Sequence, residues 1–145
     1  MINDPRVVID TNILISGLLG RTNSPSSHIL QLMRTRNIMV VTSPVILEEV
    51  AEVINRERIV QLTHMDQQTR KAFIEELIAR CSITEGNPLL SQGSRDSKDN
   101  KFLACAVEGN VDYIISGDGD LLTLKEFEGI KIITPREFLE VLQHN

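Results

Sequence analysis

Short, almost wholly apolar runs alternate along this chain with segments whose apolar residues recur at helical spacing. That alternation constrains the fold more than any other feature. Arg6-Val7-Val8-Ile9 and Ile38-Met39-Val40-Val41 are rich in β-branched residues, and Tyr113-Ile114-Ile115-Ser116 and Lys131-Ile132-Ile133 repeat the pattern later. Runs of this kind are apolar on both faces, as strands are when helices cover a sheet on either side. Between them, Ile29, Leu30, Leu32 and Met33 predict a helix over residues 26–36. Val45, Ile46, Val50, Val53 and Ile54 predict one from Pro44, and Phe73, Leu77 and Ile78 one over about 66–80. Ser43 is the expected N-cap, with Pro44 in the first helical position. Cys81-Ser82-Ile83 suits a short strand, residues 86–98 a loop, about 99–109 a helix, and Pro135 after Thr134 opens the last helix.

Strand and helix in repeated alternation imply an α/β fold: a three-layer α/β/α sandwich around a central parallel sheet of about four to five strands. The 145 residues suit a single domain, 1–145, able to bury a proper core. No apolar run approaches the roughly 20 residues that span a membrane, and the N-terminus lacks the apolar stretch of a secretion signal. Cys81 and Cys105 stand apart without metal-ligand spacing and read as reduced thiols in or near the core. A cytoplasmic location is the expectation.

Net charge is −5, unevenly placed. Residues 1–80 hold nine Lys/Arg against nine Asp/Glu, whereas residues 81–145 hold six against eleven. An acidic chain is a poor phosphate binder unless a cation neutralises its acids where they gather. In a parallel α/β sheet the strand C-termini and helix N-termini share one edge, where ligands bind. The acids map to that edge. Asp10 follows the first strand, Glu48 and Glu49 lie early in the helix from Pro44, Asp96 and Asp99 sit at a loop-to-helix junction, and Asp118 and Asp120 follow Ser116-Gly117. Each has an ordinary structural alternative: Asp10 and Asp99 as helix caps, the glutamates as a solvated face, Asp118-Gly119-Asp120 as a turn. Together they form a like-charged cluster that needs protonation or a cation. Oxygen ligands without nearby His or Cys select hard ions, Mg²⁺ or Mn²⁺.

Four strings then carry a resemblance: Val8-Ile9-Asp10-Thr11-Asn12, Ser43-Pro44 leading to Glu49-Val50, Asp99-Asn100-Lys101-Phe102-Leu103-Ala104, and Ile115-Ser116-Gly117-Asp118-Gly119-Asp120-Leu121. In this order, from about Arg6 to Leu142, they resemble a PIN domain, and within that family the VapC-like toxin components of toxin–antitoxin systems. The resemblance implies a Mg²⁺- or Mn²⁺-dependent endoribonuclease that hydrolyses phosphodiester bonds of single-stranded RNA. It implies Asp10, Glu49, Asp99 and Asp118 as catalytic and metal-binding residues, with Thr11, Asn12, Ser116, Asp96 and Asp120 supporting them. Glu49 rather than Glu48 matches the family glutamate; the choice between Asp99 and Asp96 stays open, with Asp99 favoured. A cognate antitoxin and a homodimer are further implications.

Lys98, Lys101 and Arg21 are the expected guides for the RNA backbone, with Arg34, Arg36, Arg56 and Arg58 as further candidates. Aromatic content of 3% argues against extensive base stacking. Two rivals stand: a Mg²⁺-dependent phosphatase, weakened because Asn12 occupies the position where haloacid-dehalogenase-type enzymes carry a second Asp, and a non-catalytic module that binds RNA or protein.

Overall fold

The computed structural model describes residues 4–20, 23–86 and 97–144. Its elements follow in the order β1 (Arg6–Ile9), α1 (Thr11–Leu18), α2 (Pro25–Arg34), β2 (Met39–Thr42), α3 (Pro44–Ile54), α4 (Glu57–Thr63), α5 (Gln67–Arg80) and β3 (Ser82–Ile83). Then come α6 (Ser97–Glu108), β4 (Tyr113–Ile115), α7 (Gly119–Leu124), β5 (Glu126–Phe127), β6 (Ile130–Ile133) and α8 (Pro135–Gln143). The strands form one six-stranded sheet in the order β3-β2-β1-β4-β6-β5. Five of them are parallel, as the alternation of elements predicts; β5 alone runs antiparallel, against β6. That added strand is a hairpin partner whose two-residue turn, Glu128-Gly129, places both residues at positive φ, 52° and 80°. This is the left-handed pair that a tight hairpin requires, and Gly129 supplies one of the two cheaply.

β1 lies at the centre, and Val7 and Val8 are wholly buried because both faces of the sheet are covered. Helix α6 packs across β1, β2 and β4, while α1 packs against α2 and α3, and α2 against α8. The close approach of α1 to α2 depends on Gly17: a Cβ there would meet Leu30 Cδ1 at 2.7 Å and the Ser26 carbonyl oxygen at 2.9 Å. Caps set the helix starts. Ser43 accepts from the Ile46 N–H with Pro44 following, as expected, and Thr134 and Glu137 close a reciprocal capping box ahead of α8.

The structure corrects two inward assignments. Val45 and Ile78 are 53% and 50% exposed. Each lies one residue off its helix's buried stripe (Ile46, Val50, Val53 and Ile54 in α3; Phe73 and Leu77 in α5), and one residue turns a side chain by about 100°. Both cysteines are free. Burial above all pushes the Cys81 thiol up to about 12 and the Cys105 thiol up to about 11, so neither is a nucleophile at neutral pH. Among the described residues no helix is long and apolar enough to cross a membrane.

Candidate metal centre

The strand order reverses direction between β1 and β4: the chain passes from β1 to β2 on one side, then returns to β4 on the other. A crevice opens beyond the strand C-termini at such a switch point. Here it is a cleft of about 510 Å³ lined by five acidic residues, Asp10, Glu49, Asp99, Asp118 and Asp120. Arg56, Lys98 and Lys101 are its cationic lining, and Phe102 and Val53 give it an apolar wall.

Asp10 follows β1 and caps α1, and it also lines the cleft, so the capping position does not take it away from the site. Its Oδ1 accepts from the Asn12 N–H at 3.2 Å, and its Oδ2 accepts from the Ser116 hydroxyl at 2.7 Å. Asp10 is 5% exposed and Ser116 fully buried. Burial is the main force on the Asp10 carboxyl and raises its pKa. The two hydrogen bonds oppose that rise, and the nearby charges of Asp118 and Glu49 add to it.

Asp118 is the N-cap of α7, yet its carboxylate makes no capping bond to that helix. Its backbone N–H is instead tied to Ser116 Oγ at 2.9 Å. The stretch Asp118-Gly119-Asp120 therefore opens a short helix and is not a simple turn, with Asp120 in the first helical turn. Asp99 lies in the first turn of α6 and is buried. Carboxylate oxygens of Asp99, Asp118 and Asp120 lie within 4.8 Å of one another. That separation is close to the width of a coordination shell with oxygens about 2.0–2.6 Å from a cation. The donor set is all oxygen and so fits Mg²⁺ or Mn²⁺.

Glu49 stands on the flank of α3's buried face and reaches the cleft, whereas Glu48, its neighbour, is exposed. Thr11 donates its hydroxyl proton to Glu49 Oε1, and Lys101 Nζ lies 2.8 Å from Oε2. Asn12 lines the cleft and is exposed. Asp96 and Arg21 fall outside the described residues. Of the other arginines, Arg56 reaches the cleft but is paired with Glu52, and Arg34 and Arg36 line a different cavity, where Arg34 is bonded to Glu76. Arg58 is exposed on α4. Sequence reasoning gave Asp120 a supporting place, but the structure groups it with Asp99 and Asp118. Its position one residue beyond Gly119, in the first turn of α7, is the feature that brings it there. Phe102, which the sequence marks only as part of a motif, also forms the cleft wall, a place that local pattern does not signal.

The family model of the PIN domain matches residues 6–120. An uncharacterized protein of Methanocaldococcus jannaschii, MJ1680, is 31% identical over 143 residues, covering 93% of this chain and 90% of its own. The chain belongs to the PIN domain family.

Solved structures share the fold of this PIN domain at low identity. PAE2754 from Pyrobaculum aerophilum superposes with a TM-score of 0.64 at 14% identity, over 98% of this chain and 92% of its own. The structure of VapBC2 from Rickettsia felis bound to a DNA fragment from their promoter gives 0.59 at 10% identity, over 88% and 96%. VapC20 of Mycobacterium tuberculosis, a toxin that cleaves the sarcin–ricin loop, gives 0.55 at 15% identity, over 86% and 98%. The cleft of this PIN domain, with Asp10 at its base, lies within the matched residues.

Proposed function

We propose that this PIN domain is a divalent-metal-dependent endoribonuclease acting on single-stranded RNA, and the toxin of a toxin–antitoxin pair. One observation carries the nuclease reading: the Asp99, Asp118 and Asp120 oxygens lie within 4.8 Å of one another, beside the buried Asp10, at the switch point of the sheet. Membership of the PIN family and structural likeness to VapC proteins support the toxin reading. An antitoxin and a second copy of the chain are the partners this reading brings with it.

Asp99, Asp118 and Asp120 would hold Mg²⁺ or Mn²⁺, with Asp10 and Glu49 completing the acidic wall. The ion supplies Lewis acidity, lowering the pKa of water and offsetting charge on the phosphate. The chain's own residues do the positioning. Ser116 fixes the Asp10 carboxylate, and the Asp118 N–H fixes Ser116 in turn. Lys98 and Arg56, the latter paired with Glu52, line the cleft where a phosphodiester backbone would approach. No nucleophilic side chain is required, since water is the attacking group.

The test is cleavage of labelled single-stranded RNA by the purified chain, with MnCl₂ or with chelator, beside Asp99→Asn. Metal-dependent cleavage by the wild type, reduced by about two orders of magnitude or more in Asp99→Asn, is expected. Cleavage that survives both chelation and the substitution overturns the reading. Hydrolysis of a small phosphate ester without RNA cleavage favours the phosphatase alternative.

A further inference from the structure

Both oxygens of Glu49 are engaged within the chain, one by the Thr11 hydroxyl and the other by the Lys101 ammonium. Lys101 is not a free surface cation. Its side chain is only 17% exposed, its Nζ donates to the Lys98 carbonyl at 2.7 Å, and it sits 5.1 Å from the centre of the Phe102 ring. It stands two residues after Asp99 on α6, so its charge is delivered to the cleft by the same helix turn that delivers a carboxylate. The three oxygens that cluster most closely, from Asp99, Asp118 and Asp120, leave Glu49 out.

An ammonium held on a carboxylate lowers the repulsion among neighbouring acids, and it also removes that carboxylate from the set open to another cation. We propose that Lys101 is a built-in counter-cation that competes with the divalent metal for Glu49: full engagement of the ion by the acidic wall requires the Lys101–Glu49 pair to open. This inference rests on the metal-binding reading of the cleft. Binding linkage makes the competition reciprocal: the ion weakens the pair by the same factor by which the pair weakens binding of the ion. It also gives Lys101 a role distinct from guiding RNA, which concerns phosphate and not the metal.

The experiment is calorimetric titration of the purified chain with MnCl₂, without RNA, for wild type, Lys101→Met, Lys101→Arg, Glu49→Gln and the Lys101→Met/Glu49→Gln double variant. Thermal melts of each protein in chelator confirm folding. Lys101→Met is expected to bind Mn²⁺ about tenfold more tightly, the order of one nearby charge removed in a water-like dielectric. Lys101→Arg, which keeps the charge, is expected to stay within about threefold of wild type, below the tenfold step that marks a lost charge. In the Glu49→Gln background the lysine substitution is expected to have no further effect, because the competition runs through Glu49.

Unchanged or weaker Mn²⁺ binding by Lys101→Met overturns the proposal. So does a tenfold tightening that persists in the Glu49→Gln background, which identifies a general charge effect. Absence of binding in every one of these proteins overturns the metal reading itself, and this inference with it. Binding by Lys101→Met where the wild type shows none supports competition in its strongest form. If Lys101→Met does not fold, Lys101→Gln is read by the same criteria.

Discussion

Ser116 donates its hydroxyl proton to Asp10 across 2.7 Å of fully buried space, joining residues 106 apart in sequence at the ends of adjacent strands. The parallel register sets Ile9 opposite Ile115, so the next residue on each strand lands at the crevice. The Asp118 N–H completes the chain of bonds by donating to Ser116 Oγ. One hydroxyl thus orients the most buried acid of the cleft and the loop that carries two others.

Ser116→Ala removes both bonds and leaves a buried acceptor and a backbone donor to find other partners. A loss of about 1–3 kcal/mol in folding stability is expected, the usual cost of such orphaned groups. It is measured by urea unfolding of the chain in chelator. The Asp10 pKa is expected to rise further, since the Ser116 bond is the stronger of the two interactions that lower it. A variant with unaltered stability and unaltered Asp10 titration contradicts this account.

Asp10 also makes a prediction about pH. Its folded pKa is raised, so the folded state holds its proton more tightly than the unfolded chain. Its contribution to stability is therefore full below the ordinary carboxylate value and is lost as pH rises through the elevated folded value. At neutral pH, without metal, ionised Asp10 costs stability. Asp10→Asn keeps a competent cap and is expected to raise the melting temperature by a few degrees at pH 7 in chelator. The gain should vanish at pH 3, where Asp10 itself is protonated. Melts of both proteins across pH 3–8 provide the measurement, and a gain of equal size at pH 3 contradicts the linkage.

Gly17→Ala tests the packing that brings α1 beside α2. The new methyl would stand 2.7 Å from a Leu30 side-chain carbon and 2.9 Å from a backbone oxygen. Leu30 is itself buried and the carbonyl belongs to α2, so relief requires a shift between helices. Overpacking of this kind costs about 1–3 kcal/mol, to be read as a lower urea midpoint. Gly119→Ala is the control, because nothing lies within 4 Å of a Cβ placed there. Equal losses at the two positions contradict the packing argument.

Much of the architecture was legible because local chemistry and global fold agree. Val7-Val8-Ile9 is apolar on both faces and belongs at the centre of a covered sheet, where it lies. Ser43-Pro44 and Thr134-Pro135 state their helix starts through capping oxygens and a pre-set φ. Periodicity located α3 and α5 but not the width of their buried faces, so Val45 and Ile78 were assigned inward and are exposed. β5, Glu126–Phe127, carries a charge and too little pattern to mark a strand by itself, and it is defined by its antiparallel pairing with β6.

The sequence alone determined that acids stand at the carboxyl ends of strands and the starts of helices, since those positions follow from local periodicity and punctuation. It therefore set Asp10, Asp99, Asp118 and Asp120 on one edge. Distances between those segments are a property of strand order and register, which no local stretch encodes. Only the tertiary structure decided that Asp120 closes with Asp99 and Asp118, and that Ser116, 106 residues away, serves Asp10. It also decided that Lys101 lies on Glu49, because an ion pair depends on which helices the sheet brings face to face.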